Sequence, residues 1–269
     1  MRGLALSGGG AFGAYQAGVW QVLEEKGWRP DLISGLSIGA VNGFAISRGA
    51  TAAELRAMWL EWPAEEIASA QRGWVLTRHI PLFRNWLERV CRTFGSRPQV
   101  TRLRVVLLEM PSLELRWAEG DEVSMDHLSA SCAVPGLLLP VRLKGRRYID
   151  PGPLLRLPLR ALIDAGADDI LGVDLLHVYP SPPLQHLRRV ATALRDFVRK
   201  DPTDPTPEEM SGVRFRLIAH PEALGGPRQP FEWTQQRTLE LIDKGRQDAL
   251  AKLEAEEAAV NLRADAARR

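Results

Sequence analysis

The sequence predicts an α/β fold with three layers, α/β/α, in which helices cover both faces of a mostly parallel central sheet. The first observation is a short apolar run at residues 4–6, followed by a glycine-rich loop and a helical pattern over 14–25. The second is an apolar pair at 32–33, which leads through another glycine-framed turn into a small-residue helix over 38–46. This order of strand, helix, strand and helix implies parallel strands joined by right-handed crossovers.

The segment from 51 to 100 is predicted to be mostly helical, and it carries four tryptophans, Trp59, Trp62, Trp74 and Trp86. We expect these rings to pack into the core, because large aromatic side chains dominate protein interiors. The alternative is an acyl-binding wall or a membrane-facing cap over a functional site. The sequence leaves both interpretations open.

The rest of the chain alternates between predicted strands and helices. In order, these are a hairpin of strands 103–108 and 113–117, a helix over 125–133, a strand over 137–143, a helix over 157–165, a parallel strand over 170–175, an amphipathic helix over 184–198, a surface loop over 201–208, a strand over 214–219 and a helix over 233–257. We expect a single domain over 1–269, with a core over about 1–220 and a C-terminal helix and frayed tail over 221–269.

The composition is that of an ordinary globular protein, with 45% hydrophobic and 25% charged residues. A formal net charge of +2 gives no reason to expect a nucleic-acid partner. The two cysteines, Cys91 and Cys132, lack metal-binding or disulfide spacing and favour a reducing compartment. Since no signal-peptide pattern or membrane-spanning run stands out, we expect a cytoplasmic protein, with peripheral membrane contact left open. The oligomeric state is not predicted.

Two glycine-framed turns carry the chemical signal. Ser37 lies between Gly35 and Gly39, the pattern of a nucleophile elbow that exposes a serine hydroxyl on a sharp strand-to-helix turn. Residues 8–13 place three consecutive glycines after the first strand, where bare backbone amides can hold a negative oxygen. Because adjacent parallel strands end at the same edge of a sheet, the two turns are expected side by side. A nucleophile next to an anion cradle predicts acyl transfer or hydrolysis.

A dinucleotide-binding protein is one alternative. Gly8, Gly10 and Gly13 occupy the three glycine positions of the dinucleotide fingerprint, between a strand and a helix. That fingerprint also expects an acidic residue at the end of the second strand, whereas Asp31 precedes the strand here. The glycine loop alone therefore does not predict a nucleotide cofactor.

A serine triad in the order serine, acid, histidine is the other alternative. Asp150 or Asp174 can supply the acid in that order. His177 or His220 can then supply the base. However, hydrolases of that fold place several strands before the serine, and only one or two precede Ser37.

Four blocks of the sequence resemble the patatin-like phospholipase family, which uses a Ser-Asp dyad. They are the glycine loop with the following AYQAG (8–18), the elbow GLSIGAVN (35–42), ASCAVP with a later LP (130–135 and 139–140), and YIDPG with a downstream proline (148–152 and Pro158). The blocks occur in order, and the resemblance extends to about residue 175. Together they are far more specific than any one of them.

This resemblance implies a role for each motif residue. Ser37 is the nucleophile, Asp150 activates it, and the amides of Gly8, Gly9 and Gly10 form the oxyanion hole. The other motif glycines, which shape the turns, are Gly13, Gly35, Gly39 and Gly152. Because a carboxylate is a weak base for a serine hydroxyl, the dyad requires a sheltered site that raises the pKa of Asp150.

Three positions depart from the family pattern. Phe12 stands where arginine or lysine is common, Pro151 replaces a glycine, and Arg156 stands where asparagine is common. Proline has no N–H and biases the preceding Asp150 toward an extended backbone. Because Ser37 and Asp150 are both present, we expect a serine lipid acyl hydrolase, of the phospholipase, lysophospholipase or esterase type, without a metal or cofactor. The three departures are expected to alter its rate or substrate range. A catalytically inactive lipid-binding homologue is the alternative.

Overall fold

The computed structural model describes residues 1–61, 79–179, 181–200 and 202–267. The strands within these residues are β1 (Arg2–Leu6), β2 (Leu32–Gly35), β3 (Arg102–Met110), β4 (Glu114–Glu119), β5 (Val141–Leu143), β6 (Arg146–Ile149), β7 (Asp169–Val173) and β8 (Arg214–Ile218). The α-helices within them are α1 (Ala14–Glu25), α2 (Ile38–Ser47), α3 (Ala52–Leu60), α4 (His79–Phe94), α5 (Met125–Ser131), α6 (Arg160–Ile163), α7 (Pro182–Arg199) and α8 (Gln235–Ala267).

All the described strands belong to one sheet, in the order β5-β6-β3-β2-β1-β7-β8, with β4 paired to β3. The five neighbouring strands β3, β2, β1, β7 and β8 run parallel. The other three pair antiparallel, β4 and β6 with β3 and β5 with β6. The predicted parallel sheet is therefore confirmed for its five-stranded part, and an antiparallel part completes it.

The central strands present different residues to the two faces of the sheet. Leu4, Leu6 and Ile33 face the larger core, which they share with α1, α2, α3 and α8. Ala5 and Leu32 face the opposite side, where they pack with α6. Because successive side chains of a strand point to opposite faces, each face receives its own helical layer. The predicted three-layer α/β/α architecture is confirmed.

Glycines permit two close approaches that shape this fold. A Cβ atom on Gly39 would collide with the carbonyl oxygen of Leu6, so α2 can lie directly on the end of β1 only because glycine stands there. A Cβ atom on Gly18 would likewise collide with the carbonyl oxygen of Ile242, where α1 crosses α8. Helix α8 thus packs into the larger core, and it continues past its predicted end to Ala267.

The described helices include none that combines the length and the apolar character needed to cross a bilayer. Helix α2 is apolar except for Asn42 and Ser47, but it has only ten residues, and all of them are buried against the sheet and the neighbouring helices. A helix that is hydrophobic all round is typical of a protein interior.

The strand predicted over 137–143 is wrong in extent, because only β5 forms there. The amides of Leu137 and Leu138 both donate to the carbonyl oxygen of Val134, so these apolar residues form a turn outside the sheet. The sequence also missed β6, which pairs with β5 in an antiparallel hairpin. Two consecutive arginines begin β6 and interrupt the apolar pattern by which strands are predicted.

The helix predicted over 157–165 is also shorter than expected, since it spans only α6. Pro158 has no N–H and biases Leu157 toward an extended backbone, which delays the start of the helix. Gly166, at a φ of 86°, then turns the chain away soon after α6 ends. The proline before the helix and the glycine after it therefore limit a segment whose apolar spacing suits a longer helix.

Two of the four tryptophans lie within the described residues. Trp59 and Trp86 pack together in the larger core, with ring centroids 5.7 Å apart. The indole N–H of Trp59 donates to Asn42 Oδ1 at 2.9 Å, so its polar atom is also satisfied. The expectation of core packing is confirmed for this pair, whereas Trp62 and Trp74 lie outside the described residues.

Candidate active site

Two strands end near the middle of β3. β2 pairs with the first half of β3 and ends at Gly35, opposite Val105. β6 pairs with the second half and ends at Ile149, opposite Leu108. Because β2 is parallel to β3 and β6 is antiparallel to it, the two chain ends converge over the middle of β3. The residue that follows β6 therefore meets the turn that follows β2.

Ser37 occupies the turn between β2 and α2. Its φ of 53° and ψ of −131° lie in a region that residues other than glycine rarely adopt, as at a sharp strand-to-helix bend. The Ser37 amide donates to Ser131 Oγ at 2.8 Å, and the Ser131 hydroxyl donates to the carbonyl oxygen of Val106 at 2.8 Å. Ser131 thus ties the turn to the middle of β3. Sequence reasoning included Ser131 in a motif block but missed this role.

Asp150 is buried beside Ser37, with 2% of its surface exposed. Burial raises the pKa of the Asp150 carboxyl to about 6, while the adjacent Ser37 hydroxyl and the hydrogen bond from the Gly152 amide act in the opposite direction. The Gly152 amide donates to Asp150 Oδ1 at 2.7 Å. A carboxylate with a raised pKa is a stronger base than one in water. The Ser37–Asp150 pair is therefore suited to moving a proton between its two side chains.

The glycine loop lies directly against Ser37. A Cβ atom on Gly8 would stand 2.9 Å from Ser37 Cβ and 3.6 Å from Ser37 Oγ. Among the residues that the structure describes, the amides of Gly8 and Gly9 donate to no protein acceptor. Gly10 has a φ of 56° and lies under the carbonyl group of Pro230. Unpaired amides beside a serine hydroxyl can stabilise a negative oxygen that develops there.

A buried polar network holds both ends of the glycine loop. Gln16 Nε2 donates to the carbonyl oxygen of Ser7 at 2.9 Å. Asn42 Nδ2 donates to the carbonyl oxygen of Gly13 at 3.0 Å and to Gln16 Oε1 at 2.8 Å. Trp59 completes the network as the donor to Asn42. Sequence reasoning missed these roles, although a glutamine and an asparagine among apolar neighbours in the sequence were a signal.

Cys132 is a further neighbour of the pair. Burial raises the pKa of the Cys132 thiol, the negative charge of Asp150 raises it further, and a hydrogen bond with Ser37 has the opposite effect. A thiol of raised pKa stays protonated at neutral pH and is a poor nucleophile. The raised pKa therefore argues against Cys132 as the reacting group. The sequence alone did not place this cysteine at the site.

The histidines considered for a triad have other partners. His177 Nδ1 lies 3.7 Å from Asp174 Oδ2, and His220 Nδ1 lies 2.8 Å from Asp248 Oδ2. Over the described part of the chain, no histidine hydrogen-bonds to Ser37. The arrangement therefore favours a dyad over a triad.

The dinucleotide interpretation also lacks support from the geometry. Asp31 Oδ2 accepts a hydrogen bond from the Arg2 amide at 2.7 Å, at the amino ends of β1 and β2. The glycine loop lies at the opposite, carboxyl ends of these strands.

Among the described residues, no group of three or more His, Cys, Asp or Glu side chains is placed to hold a metal ion.

The three departures from the motif pattern have defined environments. Phe12 is buried in the larger core. Pro151 cannot donate a hydrogen bond, but the next amide, that of Gly152, donates to Asp150 instead. Arg156 Nε lies 2.7 Å from Asp174 Oδ2 and so compensates a buried carboxylate near the end of β7. These departures leave the contact between Ser37 and Asp150 in place.

Comparison with known proteins gives matches over most of the chain. A model of the patatin-like phospholipase family matches residues 4–163. Lysophospholipase nte1 of Aspergillus terreus is 29% identical over 242 residues, which cover 80% of this chain and 14% of the relative. Lysophospholipase NTE1 of Coccidioides immitis is 30% identical, with the same two coverages. The chain thus spans only 14% of the length of these relatives.

A search of solved structures gives matches of low sequence identity. The crystal structure of VipD from Legionella pneumophila matches with a TM-score of 0.47 and 14% identity. The match covers 94% of this chain and 67% of that chain.

Proposed function

The chain belongs to the patatin-like phospholipase family, and from this membership we propose that it hydrolyses acyl esters of lipids through a Ser37–Asp150 dyad. The observation that carries the proposal is the buried contact between these two side chains beside the unpaired amides of Gly8 and Gly9. A nucleophile, a base and oxyanion donors are the parts that acyl transfer requires.

The proposed reaction has two steps. Ser37 Oγ attacks the ester carbonyl carbon while its proton passes to the Asp150 carboxylate. The intermediate collapses to an acyl-enzyme as Asp150 returns the proton to the leaving alcohol. Water then attacks the acyl carbonyl carbon while its proton passes to the Asp150 carboxylate, and Asp150 returns that proton to Ser37 Oγ as the fatty acid leaves. Burial supports this role of Asp150, because it raises the pKa of the carboxyl to about 6 and yet leaves it ionised at neutral pH.

The amides of Gly8, Gly9 and Gly10 are proposed to stabilise the negative oxygen of each tetrahedral intermediate. Gly8 is close enough to Ser37 for its amide to reach an oxygen bound at the attacked carbon. Loss of one such donor typically costs about 2.7–4 kcal/mol in the transition state. The buried hydrogen bonds of Gln16 and Asn42 support this role, because they hold the loop that carries the donors.

Phospholipids, lysophospholipids or other acyl esters are the proposed substrates. The fungal relatives that match 80% of this chain are named lysophospholipases. The proposed chemistry uses only side chains and backbone amides, without a metal or cofactor. The proposed location is the cytoplasm, with peripheral contact to the membranes that hold such lipids.

Hydrolysis of p-nitrophenyl butyrate by purified protein tests the proposal. We expect Ser37→Ala and Asp150→Asn each to lower kcat by at least about a thousandfold. The controls His177→Ala and His220→Ala are expected to retain the wild-type rate. If a histidine variant is inactive while Asp150→Asn keeps its rate, the triad interpretation replaces the dyad. If the wild type binds lipid vesicles but turns over no ester, the inactive lipid-binding alternative is correct.

A further inference from the structure

Helix α7 turns its polar side toward the protein. Arg195 is 2% exposed, whereas its neighbour Leu194 is 62% exposed and Phe197 is 80% exposed. Val190 and Val198 are exposed as well, so four large apolar side chains recur at positions i, i+4, i+7 and i+8 along one face. We call Val190, Leu194, Phe197 and Val198 the apolar stripe. A helix that covers a core normally buries its apolar face, and α7 does the reverse.

Hydrogen bonds of the inward side fix this orientation. Arg195 Nε donates to the carbonyl oxygen of Leu113 at 3.0 Å. Thr192 Oγ1 donates to the carbonyl oxygen of Leu154 at 2.9 Å. A rotation that buried the apolar stripe would break both bonds and leave polar groups without these partners. The outward direction of the stripe is therefore built into the packing of α7.

Helix α7 carries a net positive charge. Asp196 is the only acidic residue within Pro182–Arg199, which contains four arginines. Its carboxylate is engaged by the protein, since Asp196 Oδ1 accepts a hydrogen bond from the Thr203 amide at 3.1 Å. Arg189 and Lys200 are exposed and flank the apolar stripe in the sequence. An apolar stripe flanked by cations is complementary to a bilayer with anionic head groups.

The helix also lies beside the candidate active site. The carbonyl group of Leu154, which holds Thr192, belongs to the loop that starts at Asp150. One turn toward the amino end of the helix, the Arg188 guanidinium lies 5.5 Å from the ring centre of Tyr179, in the segment that follows β7. The inward side of α7 therefore contacts the loop that starts at the proposed base and the segment that follows β7.

We propose that α7 is a membrane-docking helix that inserts the apolar stripe into the surface of an anionic bilayer. Arg189 and Lys200 contact the anionic head groups at the rim of the inserted stripe. This interaction is additional to the proposed hydrolysis and does not require turnover. It gives the active site access to lipids packed in a bilayer.

Flotation with lipid vesicles tests the docking directly. Vesicles of phosphatidylcholine with phosphatidylglycerol are compared with vesicles of phosphatidylcholine alone. The double variant Leu194→Ser/Phe197→Ser is expected to reduce binding to the anionic vesicles by at least about tenfold, because two exposed apolar side chains no longer enter the bilayer. Val100→Ser is the matched control, since Val100 is an exposed apolar residue that does not belong to α7, and it is expected to bind like the wild type.

The charged residues give a second, independent readout. Arg189→Gln and Lys200→Gln are each expected to weaken binding to the anionic vesicles by about fivefold, with little change for phosphatidylcholine alone. Raising the salt concentration is expected to weaken the binding of the wild type and to reduce the difference between these variants and the wild type.

Three results would overturn the docking proposal. The first is a wild type that floats with neither kind of vesicle. The second is a double variant that is folded by circular dichroism and binds as tightly as the wild type. The third is a wild-type dimer in size-exclusion chromatography that the double variant converts to monomer, which would assign the stripe to a second copy. Flotation of Ser37→Ala separates docking from hydrolysis, because its binding is expected to be unchanged even if the proposed reaction is wrong.

Discussion

Replacement of Asp150 by asparagine is expected to make the folded protein more stable at alkaline pH, although it removes the proposed base. The carboxyl is buried, and its pKa is raised from 3.8 to about 6 in the folded state. A group with a raised folded-state pKa binds its proton more tightly when folded, so its contribution to stability is largest at low pH. That contribution is lost as the pH rises from about 4 to about 6, above which both states are ionised.

The magnitude follows from the size of the shift. One pKa unit corresponds to about 1.4 kcal/mol, so an ionised Asp150 reduces the free energy of unfolding by about 3 kcal/mol at pH 8. At pH 4 the effect falls below about 1 kcal/mol, because the carboxyl is then largely protonated in the folded state. Asparagine resembles the protonated carboxyl and can still accept the hydrogen bond from Gly152.

Guanidinium denaturation at several pH values, followed by tryptophan fluorescence, measures this difference. We expect the stability gained by Asp150→Asn to grow from pH 4 to pH 8. Asp121→Asn is the control, because Asp121 is exposed and its loss is expected to change stability by less than about 0.5 kcal/mol at either pH. A variant that is less stable than the wild type by the same amount at every pH would refute the raised pKa.

Other predictions concern the residues around this pair. Gly8→Ala is expected to lower kcat by at least about a hundredfold, because the added methyl group crowds Ser37 and displaces an oxyanion donor; Gly226→Ala, where a methyl group meets no atom, is the control. Ser131→Ala removes the acceptor of the Ser37 amide, so denaturation is expected to show a loss of about 1–3 kcal/mol, with kcat reduced more than KM is changed. Asn42→Ala is expected to reduce the free energy of unfolding by about 2–4 kcal/mol, because it leaves several buried groups unpaired; an unchanged denaturation midpoint would contradict the network.

The first half of the fold could be predicted from local pattern. Helix α1 and the strand that precedes it have continuous apolar spacing, ended by glycines, and the structure gives α1 the predicted bounds Ala14–Glu25. The contact between Ser37 and Asp150 could not be predicted in this way. It depends on β6, an antiparallel strand whose arginines conceal it, and on its register against β3. The resemblance to a known family supplied that pairing before the structure did.

The orientation of α7 shows another limit of sequence patterns. Amphipathic spacing predicted a helix over 184–198, and the structure confirms it, but spacing does not say which face is buried. The apolar face is normally the inward one. Here Arg195 and Thr192 find backbone acceptors on Leu113 and Leu154, which are distant in sequence, and these bonds decide the orientation.

Ser37 as the nucleophile is the central claim, and covalent labelling tests it most directly. A fluorophosphonate ester reacts with an activated serine hydroxyl, and mass spectrometry of the digested protein identifies the modified residue. The wild type is expected to carry one adduct, on Ser37, with labelling greatly slowed in Asp150→Asn and absent in Ser37→Ala. An adduct on Ser37→Ala at the wild-type rate, or a wild-type adduct on another residue, would contradict the account.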